Sequence, residues 1–120
     1  MKRSDIVGRW RLAGYEAASK SDVIHPMGKD AVGVLDYSAD GKVSVHIMGE
    51  GYFAYYGDYT VDEARSTVTH RLEMCSDPGL AGAANLRHAR LDGRRLLLTG
   101  AMQFERATKE IRVLWEREAD

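Results

Sequence analysis

Three runs between Val68 and Leu98 decide the fold, and they read Val68-Thr69-His70-Arg71-Leu72-Glu73-Met74, Asn85-Leu86-Arg87-His88-Ala89-Arg90-Leu91 and Arg94-Arg95-Leu96-Leu97-Leu98. Asp92-Gly93 separates the last two runs, and such a pair between β-compatible runs predicts a two-residue hairpin loop with positive φ at both positions. In that register Arg87 lies opposite Leu98, and directly opposed residues share a face. The period of two places His70 on the apolar face of the first run. The segment therefore predicts antiparallel strands whose apolar face also carries an arginine and a histidine.

Turn signals recur at short intervals on both sides of this segment, for example at Pro26-Met27-Gly28, Asp40-Gly41, Gly49-Glu50-Gly51 and Asp77-Pro78-Gly79. Short strands separated by such turns indicate a sandwich or a barrel. Eight strands are predicted, over residues 8–17, 32–37, 43–48, 52–61, 67–75, 84–91, 95–101 and 110–117. Ser4 and Asp5 are suited to capping one short helical turn before the first strand. Eight antiparallel strands with one apolar face each hide their edges by closing, which predicts an all-β, up-and-down barrel.

Length and charge narrow the classes of function. A chain of 120 residues is predicted to form one domain, residues 1–120. Its 17 basic residues are interspersed with 18 acidic ones, so nucleic acid and acidic membrane surfaces are not expected partners. The one cysteine, Cys75, cannot form an intrachain disulfide. With no apolar leader or membrane-length apolar window, the expected location is cytoplasmic.

Alternation predicts further polar side chains in the interior. In the first strand Trp10 alternates with arginines, so its face is predicted to be buried, and the period of two then brings Glu16 inward. The hairpin at Asp40-Gly41 places Tyr37 on a buried face. Cys75 alternates outward from His70.

Residues 52–61 are rich in tyrosine and lack a clear alternation. The interior face consists either of Tyr52, Ala54 and Tyr56, or of Phe53, Tyr55, Gly57 and Tyr59. A bulge would reverse the choice. We favour the second set, because it brings Tyr59 opposite His70.

An ordered set of motifs resembles the stand-alone bacterial lipocalin-like domain family, a calycin-type group of β-barrels. The motifs are Gly8-Arg9-Trp10, Pro26-Met27-Gly28, Tyr37 with Asp40-Gly41, Tyr56-Gly57-Asp58-Tyr59, Val68-Thr69-His70, Pro78 with Gly82 and Arg87, and Leu114-Trp115-Glu116-Arg117. The resemblance implies that Trp10 closes one barrel end and that Arg117 packs over it. Only Gly49-Glu50-Gly51 stands where many relatives have a longer insert. That end is then open, or covered by a second copy in a homodimer.

The leading functional hypothesis is that the barrel holds a small, mostly apolar molecule with a polar handle. An arginine buried without a partner is costly, so Arg87 needs a carboxylate, a water or a ligand. An internal network, either of Glu16 with Arg87 or of a tyrosine, a histidine and Arg87, would also satisfy it. The predicted ligand-binding residues are Tyr37, Tyr59, His70, Met74, Asn85, Arg87 and Leu98.

The alternative is a cofactor-independent cyclase or isomerase of a polyketide- or terpenoid-like substrate. In it His70 and Glu16 would exchange protons while Arg87 and a tyrosine stabilise developing negative charge. No metal site is predicted, because the four histidines lack metal-ligand spacing. A third hypothesis is a filled barrel that acts through its surface.

Overall fold

The computed structural model describes residues 1–104 and 107–119 of a closed antiparallel β-barrel. Its elements are the helical turn α1 (Arg3–Ile6) and the strands β1 (Gly8–Ala18), β2 (Val23–Ile24), β3 (Val32–Tyr37), β4 (Lys42–Met48), β5 (Tyr52–Asp62), β6 (Thr67–Cys75), β7 (Ala84–Asp92), β8 (Arg95–Phe104) and β9 (Ala107–Arg117). A 3₁₀ turn at Pro78–Leu80 lies between β6 and β7. Among the residues described, no helix has the length and apolarity to cross a bilayer.

Eight long strands form the barrel, which confirms the predicted all-β, up-and-down fold and its short N-terminal helical turn. From β3 onward each strand pairs with the next, and β1 pairs with both β3 and β9, which closes the sheet. Residues 18–31, which lie between the first two predicted strands, contain an additional strand, β2. It forms because Ala17 and Ala18 extend β1 far enough to pair with Ile24 and Val23.

Two bulges interrupt the alternation of side chains. Between β1 and β9 the register passes from Leu12 opposite Trp115 to Gly14 opposite Leu114, so β1 has one extra residue. Between β5 and β6 it passes from Tyr56 opposite Met74 to Gly57 opposite Leu72. An extra residue in one strand moves every side chain beyond it to the other face.

The β7–β8 hairpin differs from its predicted register. Asp92 pairs with Arg95, so Gly93 and Arg94 form the loop, and of the loop residues only Gly93 has a positive φ, 60°. Ala89 consequently lies opposite Leu98. The displacement is two residues, which leaves each side chain on its predicted face. Arg87 therefore stays on the interior side.

One end of the barrel is closed around a tryptophan, as the resemblance implies. Trp10 is fully buried, and its Nε1 donates a hydrogen bond of 3.0 Å to the carbonyl oxygen of Ile6. The guanidinium carbon of Arg117 lies 4.2 Å from the centroid of the Trp10 ring. Arg117 Nη1 also donates to the carbonyl oxygen of Val7 at 3.0 Å. These contacts fasten α1 and the last strand to the same end.

Candidate functional site

A cavity of about 260 Å³ lies between the inner faces of the strands. Most of its lining is apolar, and the polar side chains are those of Tyr15, Tyr55, His70, Asn85, Arg87 and Gln103. Drug-sized ligands occupy pockets of roughly 300–1,000 Å³. This cavity therefore suits a compact molecule of one or two rings.

His70 is held between two tyrosine hydroxyl groups. It lies on β6 and is 2 % exposed. Its Nε2 is 2.6 Å from Tyr37 Oη on β3, and its Nδ1 is 2.6 Å from Tyr55 Oη on β5. Burial lowers the pKa of His70 to about 3, and the positive charge of Arg87 acts in the same direction. The imidazole is therefore neutral at physiological pH.

The tyrosines around the cavity keep their phenolic hydrogens. Burial raises the pKa of Tyr15, Tyr37 and Tyr55 above the ordinary value of 10.0, while the positive charge of Arg87 opposes the shift. Each phenol therefore remains a hydrogen-bond donor near neutral pH.

Arg87 brings a positive charge to the cavity wall. It lies half-buried on β7, opposite the fully buried Val68 of β6. Its Nη1 donates to the carbonyl oxygen of Leu86 at 3.0 Å. Burial lowers the pKa of the guanidinium, and the nearby tyrosines oppose that shift. Within residues 1–104 and 107–119, no carboxylate lies within 4 Å of it.

The wall beside Arg87 is open between β7 and β8. Their pairing ends at His88 opposite Thr99, so the residues before His88 have no described partner in β8. The Arg87 side chain occupies the space over Gly100, where a Cβ atom would lie 2.8 Å from Nη1 and 3.1 Å from Cδ. Asn85, Arg87 and Ala101 line both the cavity and a groove on the outside of this wall. Arg87 is thus positioned at a lateral opening.

Four of the residues predicted to bind ligand come together on the cavity wall, namely His70, Asn85, Arg87 and Leu98. Tyr37 and Tyr59 are buried in the core outside that lining. Tyr59 Oη donates to the carbonyl oxygen of Ser38 at 2.7 Å. The interior face of β5 is the one that the sequence analysis favours, with Phe53, Tyr55, Gly57 and Tyr59. Phe53 and Tyr55 line the cavity, and Tyr59 is buried.

Three predicted orientations are wrong, and the two bulges explain them. Glu16 lies on the outer face opposite Arg112, with 3.2 Å between Glu16 Oε1 and Arg112 Nη1. Met74 is 59 % exposed on the outer face. Cys75, expected outside, lies opposite Tyr55 and shares its face.

Two tyrosines that line the cavity are not among the ligand-binding residues predicted from the sequence. Tyr15 is brought inward by the bulge in β1, whereas strict alternation places it outside. Tyr55 lies on the favoured face, but nothing in the sequence singles it out among six tyrosines. For Tyr15 the available signal is Gly14, since an isolated glycine in a strand suggests a bulge.

Comparison with known proteins gives one family match. A family model described as a lipocalin-like domain matches residues 7–51 and 48–118. No curated protein matches the chain. The two matched ranges include Trp10, Arg117 and every strand that lines the cavity.

Proposed function

The chain belongs to the lipocalin-like domain family, and on that basis we propose that it binds one small, mostly apolar molecule with a polar group inside the barrel. Lipocalin-like barrels typically bind small hydrophobic ligands. Removing apolar surface from water contributes roughly 25 cal/mol per Å², so the apolar cavity walls supply the affinity. The polar side chains supply the orientation of the ligand.

The observation that carries this proposal is the placement of Arg87. Arg87 lines a mostly apolar cavity, and the described residues offer its guanidinium one carbonyl oxygen and no carboxylate. A half-buried cation in such surroundings is stabilised by an acceptor group on a bound molecule. The internal pair of Glu16 with Arg87 is not formed, because Glu16 lies outside with Arg112.

The geometry supports binding rather than proton transfer. A cyclase or isomerase would need an internal base whose pKa lies near the working pH. The pKa of His70 is about 3, and both of its ring nitrogens are hydrogen-bonded to tyrosines. The cavity lining, within the described part of the chain, contains no aspartate or glutamate.

Two naphthalene compounds test the proposal, 2-naphthoate and naphthalene-2-methanol, with binding measured by isothermal titration calorimetry. Leu98→Phe places a ring in the cavity, whereas Leu86→Phe places the same ring on the exposed face of β7. We expect wild type and Leu86→Phe to bind at least one compound equally well. Leu98→Phe should bind it about tenfold or more weakly, because the ring occupies ligand space.

Melting curves identify any variant that fails to fold, and Ile111→Phe, which fills the same cavity from β9, replaces Leu98→Phe if needed. If wild type bound neither compound, the proposal would be overturned. Equal affinity in wild type and a folded cavity-filling variant would also overturn it.

A further inference from the structure

The hydrogen-bond chain from Tyr37 through His70 to Tyr55 has a direction, which the partners of Tyr37 determine. Tyr37 Oη is buried, and in the described residues its hydrogen-bond partner is His70 Nε2. If Nε2 carried the imidazole hydrogen, the phenolic hydrogen of Tyr37 would have no acceptor among those residues. A buried donor without an acceptor is costly. Tyr37 therefore donates to Nε2.

The neutral imidazole then carries its one hydrogen on Nδ1, since one ring nitrogen donates and the other accepts. That Nδ1–H group donates to Tyr55 Oη at 2.6 Å. Tyr55 Oη is consequently an acceptor toward His70, and its own hydrogen points elsewhere. Because Tyr55 lines the cavity, that hydrogen is available to a bound molecule.

The cavity thus presents two hydrogen-bond donors, one neutral and one positively charged. Tyr55 contributes one O–H group, and Arg87 contributes guanidinium N–H groups on the neighbouring part of the wall. Both side chains line the same cavity, and the positive charge of Arg87 lowers the pKa of Tyr55 against the larger effect of burial. An anionic acceptor forms charge-assisted hydrogen bonds with both, whereas an alcohol brings a hydrogen of its own to a site already rich in donors.

We propose that Tyr55 and Arg87 select a carboxylate as the polar group of the ligand, and that Tyr37 and His70 act as positioning residues that turn the Tyr55 hydroxyl hydrogen into the cavity. This inference rests on the proposed function. It adds the chemical class of the ligand and a residue that determines specificity.

The tautomer is measured first, on the protein without ligand. Long-range ¹H–¹⁵N correlation spectra of ¹⁵N-labelled protein distinguish a protonated ring nitrogen from an unprotonated one. We expect His70 to be protonated at Nδ1 and not at Nε2. The opposite tautomer would overturn the inference whether or not any ligand binds.

Selectivity is measured with 2-naphthoate and naphthalene-2-methanol, which share the same rings. We expect wild type to prefer 2-naphthoate about tenfold or more, because a hydrogen bond to a charged group is worth at least that ratio. Tyr55→Phe should remove most of the preference. Tyr56→Phe is the matched control, since Tyr56 is the next residue and lies on the outer face with Met74.

Tyr37→Phe tests the positioning role, because Tyr37 does not line the cavity. Without its hydroxyl the Nδ1–H tautomer loses its advantage, so the preference for 2-naphthoate should fall and His70 should show a mixture of tautomers. Binding of both compounds with an unchanged preference in Tyr55→Phe would overturn the inference and leave the proposed function standing. If wild type bound neither compound, this inference and the proposed function would both be overturned.

Discussion

At the scale of single residues, the burial of His70 determines how acid acts on the barrel. The pKa of His70 is about 3 in the folded protein and 6.5 in an unfolded chain. Between these values the unfolded state binds a proton that the folded state excludes. The free energy of unfolding therefore falls as the pH drops below 6.5, by up to about 1.4 kcal/mol per pH unit, and the contribution is complete above 6.5.

We predict that this one residue accounts for about 2 kcal/mol of the stability that wild type loses between pH 7 and pH 5. Urea unfolding at both pH values measures the loss. His70→Gln should lower stability at pH 7 and show a smaller further loss at pH 5, because glutamine does not titrate. His88→Gln, which removes an exposed histidine, should retain the wild-type difference. An equal loss in wild type and His70→Gln would contradict this account.

Another single residue, Gly100, sets the position of the Arg87 side chain. In Gly100→Ala the new Cβ atom would lie 2.8 Å from Arg87 Nη1, so the guanidinium must move. We predict several-fold weaker binding of 2-naphthoate, measured by calorimetry, because the N–H donors lose their placement. Thr99→Ala, on the opposite face of the same strand, should bind as wild type does. Unchanged affinity in Gly100→Ala would show that Arg87 does not contact the ligand.

At the scale of strands, regular alternation predicts most of the barrel and fails at the bulges. The faces of Trp10, Tyr37, His70 and Arg87 follow from the period of two, and each lies where that period places it. The orientations of Glu16 and Met74 do not follow, because a bulge is decided by the twist and closure of the sheet rather than by the strand that contains it. Tyr55 becomes recognisable as a site residue only through its hydrogen bond to His70.

The bulge in β6 depends on the missing side chain of Gly57. A Cβ atom there would lie 1.8 Å from the carbonyl oxygen of Arg71, which belongs to the backbone and cannot rotate away. We predict that Gly57→Ala lowers the free energy of unfolding by about 1–3 kcal/mol or more, measured by chemical denaturation. Gly14→Ala is the control, since no atom lies within 4 Å of the position its methyl group would take, and it should change stability by less than about 0.5 kcal/mol. Similar losses in both variants would refute the steric explanation.

At the scale of the whole molecule, two arginines on the inner side of the barrel have different roles. Arg117 fastens the closed end through Trp10 and the carbonyl oxygens of Val7 and Asp5. Arg87 lies on the cavity wall, with one carbonyl acceptor among the described residues. The barrel thus combines a closed end that contributes stability with an interior that is proposed to bind ligand.

We predict that the same substitution separates the two roles. Arg117→Gln should lower the free energy of unfolding by about 1–3 kcal/mol and leave the affinity for 2-naphthoate within about twofold of wild type. Arg87→Gln should weaken 2-naphthoate binding about tenfold or more with little loss of stability, because it removes a half-buried charge without a carboxylate partner. Denaturation and calorimetry on both variants test the separation. The reverse pattern, with Arg117→Gln losing affinity and Arg87→Gln losing stability, would contradict it.

The most direct test of ligand binding inside the barrel is the set of nuclear Overhauser effects between 2-naphthoate protons and protein methyl groups. Leu98 and Val113 line the cavity from β8 and β9, whereas Leu86 and Val32 are exposed on the outside. We predict contacts from the naphthalene ring to the methyl groups of Leu98 and Val113. Contacts to Leu86 or Val32 in their place, or none to any interior methyl group, would contradict binding inside the barrel.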